Sequence, residues 1–349
     1  MKKLRMGVVG LGMGRGHARG YLSHPQAELV ALCDMDAEKL AQEAREMGVG
    51  QTYAEAGEMF KKADLDAVSI AVPNKFHAPL TIAALKSGLH VLCEKPMART
   101  AQEAERMLKA ARSAKKKLMI NFSFRFSDMS YALKEQVDAG VVGDIYFGRS
   151  VWHRRRGLPK FGGWFGVKEM SGGGPLIDLG VHRLDLALWL MGYPEPVAVS
   201  GSTYDPIAKS LAKKERKKFD VEDLACGLIK FDNGATLVLE ASWALNIQEN
   251  EHMVTSLYGT KGGVVQRNAG GGYDFEAEII TEEGESHFTK KLDRRTQRAP
   301  SSYHEFVNSI LEKRAPIATG EHGLKVMKIL DGIYKSAATG KEVRYSIKK

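Results

Sequence analysis

The chain has 349 residues, 44% of them hydrophobic, enough for two buried cores and too long for one typical domain. No apolar run approaches membrane-spanning length, and Lys2-Lys3 lead at once into strand pattern rather than into a signal-peptide core, so a cytoplasmic protein with no membrane partner is expected. The net charge of +9 is spread over separate basic runs at Lys115 to Lys117, Arg154 to Arg156, Lys213 to Lys218 and Lys290 to Arg295, which argues against a nucleic-acid partner.

Leu4 to Val9 is a short, partly β-branched apolar stretch, followed by clustered glycines and a helix-like run. In GLGMGRG, Gly10 permits the tight turn and Gly12 lets backbone approach a pyrophosphate, with Met13 and Gly14 completing the cradle at a helix N-terminus. A G-x-G-x-x-G spacing puts its third glycine where Arg15 stands; glycines fall instead at Gly14 and Gly16, which predicts a loop one residue longer. Asp34 closes ELVALCD at about the 20-residue remove from the glycines where a carboxylate accepts from the adenine-side ribose and repels the extra phosphate of NADP. Met35, not arginine, follows it, so NAD is the expected cofactor.

Helices predicted over Asp36–Met47, Tyr53–Lys61, His77–Ser87 and Thr100–Ser113 alternate with strands at Glu28–Cys33, Asp66–Val72, His90–Cys93 and Lys117–Ile120. This alternation specifies a doubly wound parallel sheet, a Rossmann-type α/β domain over residues 1–122. Ligands of such sheets lie beyond the carboxyl ends of the strands, where Pro73, Asn74 and His77 follow one strand and Glu94, Lys95 and Pro96 another. Asn74 also suits a helix cap and His77 a helix surface. A charged pair directly after a buried strand is costly unless it meets polar surroundings, so Glu94 and Lys95 are expected to line the cofactor site. Cys33, Cys93 and Cys226 all lie in apolar strand-like segments and read as reduced packing thiols, with no metal site expected.

After a helix near Asp128–Ala139 the pattern becomes alternating runs at Asp144–Trp152, Val197–Thr203, Leu224–Phe231, Ala235–Trp243 and His252–Tyr258, with turns such as Asp232-Asn233-Gly234. An α+β domain with an open, mostly antiparallel sheet is predicted for residues 123–349. Within it, Gly172 to Gly174 and Pro175 start a helix that Gly192 stops, from about Pro175 to Met191. Asp178 and His182 then stand four apart on one face, a carboxylate beside an acid/base; a core histidine satisfied by a neighbouring acid fits the same spacing. Asp185, next on that face, reads as structural. Arg125 in NFSFRFS, and Arg156 and Trp164 in the segment before the glycines, are candidates for a substrate pocket, the arginines as donors to hydroxyls or carboxylates and the ring as an aromatic face, or else belong to a surface excursion with packing aromatics or a contact to another subunit.

GLGMGRGH, CDMD, PNKFH, HVLCEKP, SGGGPLIDLGVHRLDLALWLMG, VEDLACGLIKFDNGA and ILDGIYKSAATGKEV together give the chain a resemblance, over nearly its whole length, to the Gfo/Idh/MocA family, named for glucose–fructose oxidoreductase and inositol dehydrogenase. The resemblance implies a NAD(P)-dependent oxidoreductase of sugars, cyclitols and related polyols, a homodimer or homotetramer formed through the open face of the second sheet. It also implies that Lys95 lies near the nicotinamide and the reacting hydroxyl, that Asp178 is a substrate ligand and that His182 is the acid/base. Two other uses of the scaffold are a glycosidase that oxidises its sugar transiently with bound NAD, and a cofactor-sensing regulator without turnover.

Overall fold

The computed structural model describes residues 3–293 and 299–346. By contact the chain divides into two compact units, residues 1–122 with 300–327 and residues 123–299 with 328–349.

The first unit runs β1 (Leu4–Val9), α1 (Gly14–Leu22), β2 (Ala27–Cys33), α2 (Ala37–Met47), β3 (Gln51–Tyr53), α3 (Ala56–Lys62), β4 (Ala67–Ile70), α4 (His77–Lys86), β5 (His90–Cys93), α5 (Ala101–Ala114) and β6 (Leu118–Ile120). All six strands pair in parallel in the order β3-β2-β1-β4-β5-β6. The chain doubles back between β1 and β4, which opens the crevice at their carboxyl ends that binds ligands in sheets of this kind. Strands β1, β2, β4 and β5 are apolar and buried along most of their length because helices cover both faces. The short β3 had no sequence signal: it is a largely exposed edge strand of three residues, and it takes the start of the helix expected from Tyr53.

Gly10 turns out of β1 with φ +87°, and a Cβ there would stand 2.3 Å from the Ala71 carbonyl oxygen at the end of β4. Gly14 opens α1, and a Cβ on it would stand 2.8 Å from Val8 Cγ1. The third glycine therefore packs helix against strand one position early, and the longer loop predicted from the spacing does not form.

The second unit holds α6 (Asp128–Asp138), β7 (Ile145–Arg154), α7 (Lys168–Ser171), α8 (Val181–Leu190), β8 (Pro196–Tyr204), α9 (Pro206–Glu215), β9 (Leu224–Phe231), β10 (Thr236–Ser242), β11 (Glu251–Gly259), β12 (Gly262–Ala269), β13 (Asp274–Glu283) and β14 (Ser286–Lys291). After α10 (Ser302–Leu311) and α11 (Gly320–Thr339) it is closed by β15 (Val343–Arg344). Its nine strands lie in the order β14-β13-β12-β11-β7-β10-β9-β8-β15, and every neighbouring pair is antiparallel except β7 with β10. Ser150, Trp152, Met253 and Thr255 are buried on one side, with α8 packed there, while Arg149 and the large side chains Phe147, Tyr258, Leu228 and Ile280 are exposed on the other.

Residues 300–327, which the sequence assigns to the second domain, lie with the first unit. Helix α10 packs on α1, where Gly20 leaves room for the Tyr303 ring, and Ile120 of the edge strand β6 donates its amide to the Ala318 carbonyl at 3.0 Å. A returning segment thereby covers a sheet edge that would otherwise leave amides unpaired.

Gly10→Ala should lower the unfolding free energy by roughly 2–4 kcal/mol, from left-handed strain together with the overlap on Ala71. Denaturant titration measures it; a change within about 0.5 kcal/mol, typical of a surface substitution, would contradict this account of the turn.

Candidate active site

At the carboxyl end of β1 the glycine loop fits a bound pyrophosphate. A Cβ on Gly12 would meet nothing within 4 Å, Met13 is exposed, and α1 begins with neither a side-chain cap nor an acidic residue in its first turn. This helix N-terminus carries the sign that favours an anion. Asp34 is held beside this loop: its Oδ2 accepts from the Leu11 amide at 2.7 Å and its Oδ1 from the Asp36 amide at 2.9 Å. Lys39 brings its ammonium to 3.5 Å from Asp34 Oδ1 and 3.5 Å from Asp36 Oδ2, a cation missed when only Met35 is considered.

Of the residues expected after β4, Pro73 is half-buried and Asn74 is buried in a 3-10 turn (Asn74–Phe76). His77 is fully buried, with Nδ1 2.7 Å from the Pro96 carbonyl and Nε2 2.7 Å from the Val72 carbonyl. It ties the segment after β4 to the segment after β5 and is not offered to a cofactor, which corrects the sequence assignment. Burial holds its pKa below the ordinary histidine value despite those carbonyls.

Glu94 also turns inward. Its Oε1 lies 2.8 Å from His17 Nε2 and accepts from Asn121 Nδ2 at 2.6 Å, while Oε2 accepts from the Lys95 amide at 3.1 Å. His17 in turn meets Ser69 at 2.9 Å and lies under the Tyr303 ring with centroids 4.6 Å apart. Burial would raise the Glu94 carboxyl, but the hydrogen bonds from His17 and Asn121 and the charge interactions with His17 and Lys95 hold it down at about 2. Glu94 is thus a strut, not a direct cofactor contact, and the half-buried Lys95 is the member of the pair left at the crevice. His17, absent from the sequence candidates, shows itself only as a histidine on the buried face of α1.

In the second unit the segment predicted as one helix begins with a π-helical turn (Leu176–Gly180) that carries Asp178 and leads directly into α8, which carries His182. Such turns are often found at functional sites. The glycines before it are required by packing: a Cβ on Gly173 would stand 2.0 Å from the Tyr334 hydroxyl and one on Gly174 2.2 Å from the Glu222 carbonyl. Glu222, another group the sequence reading passed over, accepts from the amides of Gly174 at 2.9 Å and Leu176 at 3.2 Å, fixing the start of the turn. Asp178 is half-buried, and its Oδ2 accepts from the Trp243 indole at 3.1 Å. His182, 8% exposed, lies against Phe124 and Trp152, with centroids 4.8 and 5.8 Å away.

Arg125 does not join this group. It is fully buried, with Nε 2.8 Å and Nη2 2.6 Å from the two Asp185 carboxylate oxygens, and it also donates to the Tyr193 hydroxyl. It is a structural ion pair with Asp185, so its assignment to substrate is withdrawn. Arg156 is exposed and donates to Asn246 Oδ1 at 2.7 Å and to the carbonyls of Arg155 and Leu245; Trp164 is half-buried and stacked on Phe165 at 3.8 Å. Among the described residues no cluster of His, Cys, Asp and Glu could hold a metal ion, and no helix is long and apolar enough to cross a membrane.

Two family models match the chain: an oxidoreductase family with an NAD-binding Rossmann fold over residues 4–122, and the C-terminal alpha/beta domain of the same family over residues 134–345. The chain belongs to the Gfo/Idh/MocA oxidoreductase family. It is therefore a NAD-dependent oxidoreductase that acts on CH–OH groups. It is 34% identical over 351 residues to D-glucoside 3-dehydrogenase of Escherichia coli (strain K12), with 97% of each chain covered. Among solved structures it resembles an aldose–aldose oxidoreductase from Caulobacter crescentus complexed with glycerol, at 26% identity and a TM-score of 0.82, over 99% of this chain and 100% of the other. A second is GenD2 from gentamicin A biosynthesis in complex with NAD, at 26% identity and a TM-score of 0.82, over 99% and 97% of the two chains. The relatives of this Gfo/Idh/MocA member support neither the glycosidase nor the regulator alternative.

Two outcomes follow from the first unit. NAD should bind at least tenfold more tightly than NADP, a difference of about 1.4 kcal/mol, and Asp34→Ser, which leaves the Lys39 cation in place, should narrow or reverse that ratio; equal affinities in the unaltered protein, by fluorescence titration, would contradict the role given to Asp34. Because the Glu94 carboxyl is depressed in the folded state, its stabilising effect is fully present above the ordinary carboxyl range and is lost as pH falls toward about 2. Glu94→Gln should therefore weaken the dependence of unfolding free energy on pH between about 4.5 and 2. The full effect is on the order of 3 kcal/mol, and an unchanged dependence would place the titrating group elsewhere.

Proposed function

We propose that this enzyme oxidises a secondary ring hydroxyl of a glucoside or a related sugar or cyclitol, with His182 as the acid/base, Lys95 as the donor to the reacting oxygen and Asp178 as the ligand of a neighbouring hydroxyl. The observation that carries the reading is the placement of an acid/base and a carboxylate on successive turns of one buried segment, the carboxylate oriented by the Trp243 indole and the imidazole set against two aromatic rings. The similarity to a dehydrogenase of D-glucosides supports the substrate class.

NAD, when bound, supplies the hydride acceptor. Gly10, Gly12, Met13 and Gly14 would hold its pyrophosphate, Asp34 its adenine-side ribose, and Pro73, Asn74 and Lys95 its nicotinamide half. The chain's own work is to bind, orient and move one proton. A neutral imidazole accepts the hydroxyl proton, and the same proton returns from it when the reaction runs in reverse. An ammonium at the reacting oxygen stabilises the alkoxide charge that develops as the proton leaves. Asp178 fixes the ring by accepting from an adjacent hydroxyl, which converts binding into orientation. Trp164 offers an aromatic face to the C–H surface of the sugar and Arg156 a donor to an outer hydroxyl.

The exposed Phe147, Tyr258, Leu228 and Ile280 on the outer face of the second sheet fit assembly with another copy of the chain as a homodimer or homotetramer. The buried free thiols Cys33 and Cys93 fit a reducing, cytoplasmic setting.

His182→Ala should fold and bind NAD while losing about 10²–10⁴-fold in turnover. Lys95→Met should lose about 10²-fold in kcat, with NAD affinity much less affected. Steady-state NADH formation from a panel of alkyl glucosides and cyclitols, beside direct NAD titration, decides both. Near-normal kcat in His182→Ala would assign the proton elsewhere, and selective loss of NAD affinity in Lys95→Met would make Lys95 a cofactor clamp.

A further inference from the structure

Arg183 immediately follows His182 in α8 and is fully buried. Among the described residues no carboxylate pairs with it: Nη1 reaches only the amide oxygen of Gln266, at 3.4 Å, while Nε and Nη2 have no hydrogen-bond acceptor. Instead the guanidinium lies against three rings, 4.9 Å from the centroid of Phe124, 5.1 Å from Phe275 and 5.6 Å from Trp152. Burial alone pushes its pKa down to about 9, so it remains a cation at neutral pH. A buried charge without a counter-ion is a poor way to fill a core, and an apolar side chain of similar volume serves packing better. Its charge calls for another role.

The rings supply one. Phe124 and Trp152 are also the two rings against which the His182 imidazole lies. Neighbouring residues of a helix leave it about 100° apart, so the guanidinium and the imidazole are directed differently and meet through the shared rings. Cation–π attraction is strongest when the cation is desolvated, as this one is. Phe275 completes the set by packing edge-on against Phe124, with centroids 5.6 Å apart.

We infer that Arg183 is a positioning residue: its buried cation draws in Phe124, Trp152 and Phe275 and so fixes the aromatic wall that sets the orientation of His182. The inference rests on the acid/base reading of His182.

The test is a double-variant cycle with NAD and an alkyl glucoside that the enzyme turns over. Arg183→Met should fold with a thermal midpoint equal to or above that of the unaltered protein, keep KM and NAD affinity within about twofold, and lose roughly tenfold or more in kcat. In a His182→Ala background the same substitution should cause no further loss. Phe275→Leu, which removes one ring from the guanidinium without touching His182, should lower kcat less, and should add nothing to Arg183→Met. A folded but clearly destabilised Arg183→Met, an unchanged kcat, or an equal loss in both backgrounds would overturn the inference. If Arg183→Met does not fold, an unaltered kcat in Phe275→Leu overturns it as well. Near-normal turnover by His182→Ala itself would remove the acid/base reading, whereas a large loss there with an unchanged Arg183→Met removes only the positioning role.

Discussion

The first unit is organised around a carboxylate withdrawn from water. Glu94 stands at the end of β5, and its two oxygens are taken up by His17 from α1, Asn121 just beyond β6 and the amide of Lys95. A buried carboxylate left unpaired would be prohibitively costly, so these partners are obligatory and they tie helix α1 and the ends of β5 and β6 to one another. Lys95 inherits its position from this arrangement. The His77 bridge between the Val72 and Pro96 carbonyls braces the same segment from the other side. Two residues that look like ligands of a cofactor, His77 and Glu94, are thus framework that fixes the segment carrying Lys95.

The second unit uses the same logic at a helix start. Glu222 and Tyr334 close around Gly173 and Gly174, leaving no room for side chains there, and the amides they engage begin the π-helical turn that carries Asp178. Trp243 and Trp152 belong to one buried cluster with Leu179, Val221, Ala241 and Met253. Through it the sheet reaches Asp178 by an indole hydrogen bond and His182 by ring contact. The candidate groups sit on rigid elements rather than on loops, which favours precise geometry.

Much of this architecture is legible from local pattern. The β1 turn, the Asp34 carboxylate beside it and the apolar strands of the first sheet announce themselves because glycine freedom, strand periodicity and chain spacing are local properties. The edge strand β3 does not, being short, polar and largely exposed. Neither does the direction in which a charged side chain turns. Glu94 and Lys95 are adjacent and indistinguishable by pattern, yet one faces an internal network. Arg125 finds its partner Asp185 60 residues away, a pairing that only the folded chain creates. Lys39 returns to Asp34 across the first turn of α2, and Gly14 takes the packing role one position early because helix-to-strand distance, not motif spacing, decides where a side chain cannot fit.

The central claim, that a ring carbon loses hydride as its hydroxyl loses a proton, is tested most directly by isotope tracing. Alkyl glucosides deuterated at single ring carbons would be incubated with the enzyme and NAD, and the reduced nicotinamide analysed by mass spectrometry and proton NMR. The account predicts one labelled position whose deuterium appears at nicotinamide C4, with a ketosugar formed in equal amount. Deuterium retained in the sugar whichever ring carbon carries it, or released to water without NADH formation, would contradict it.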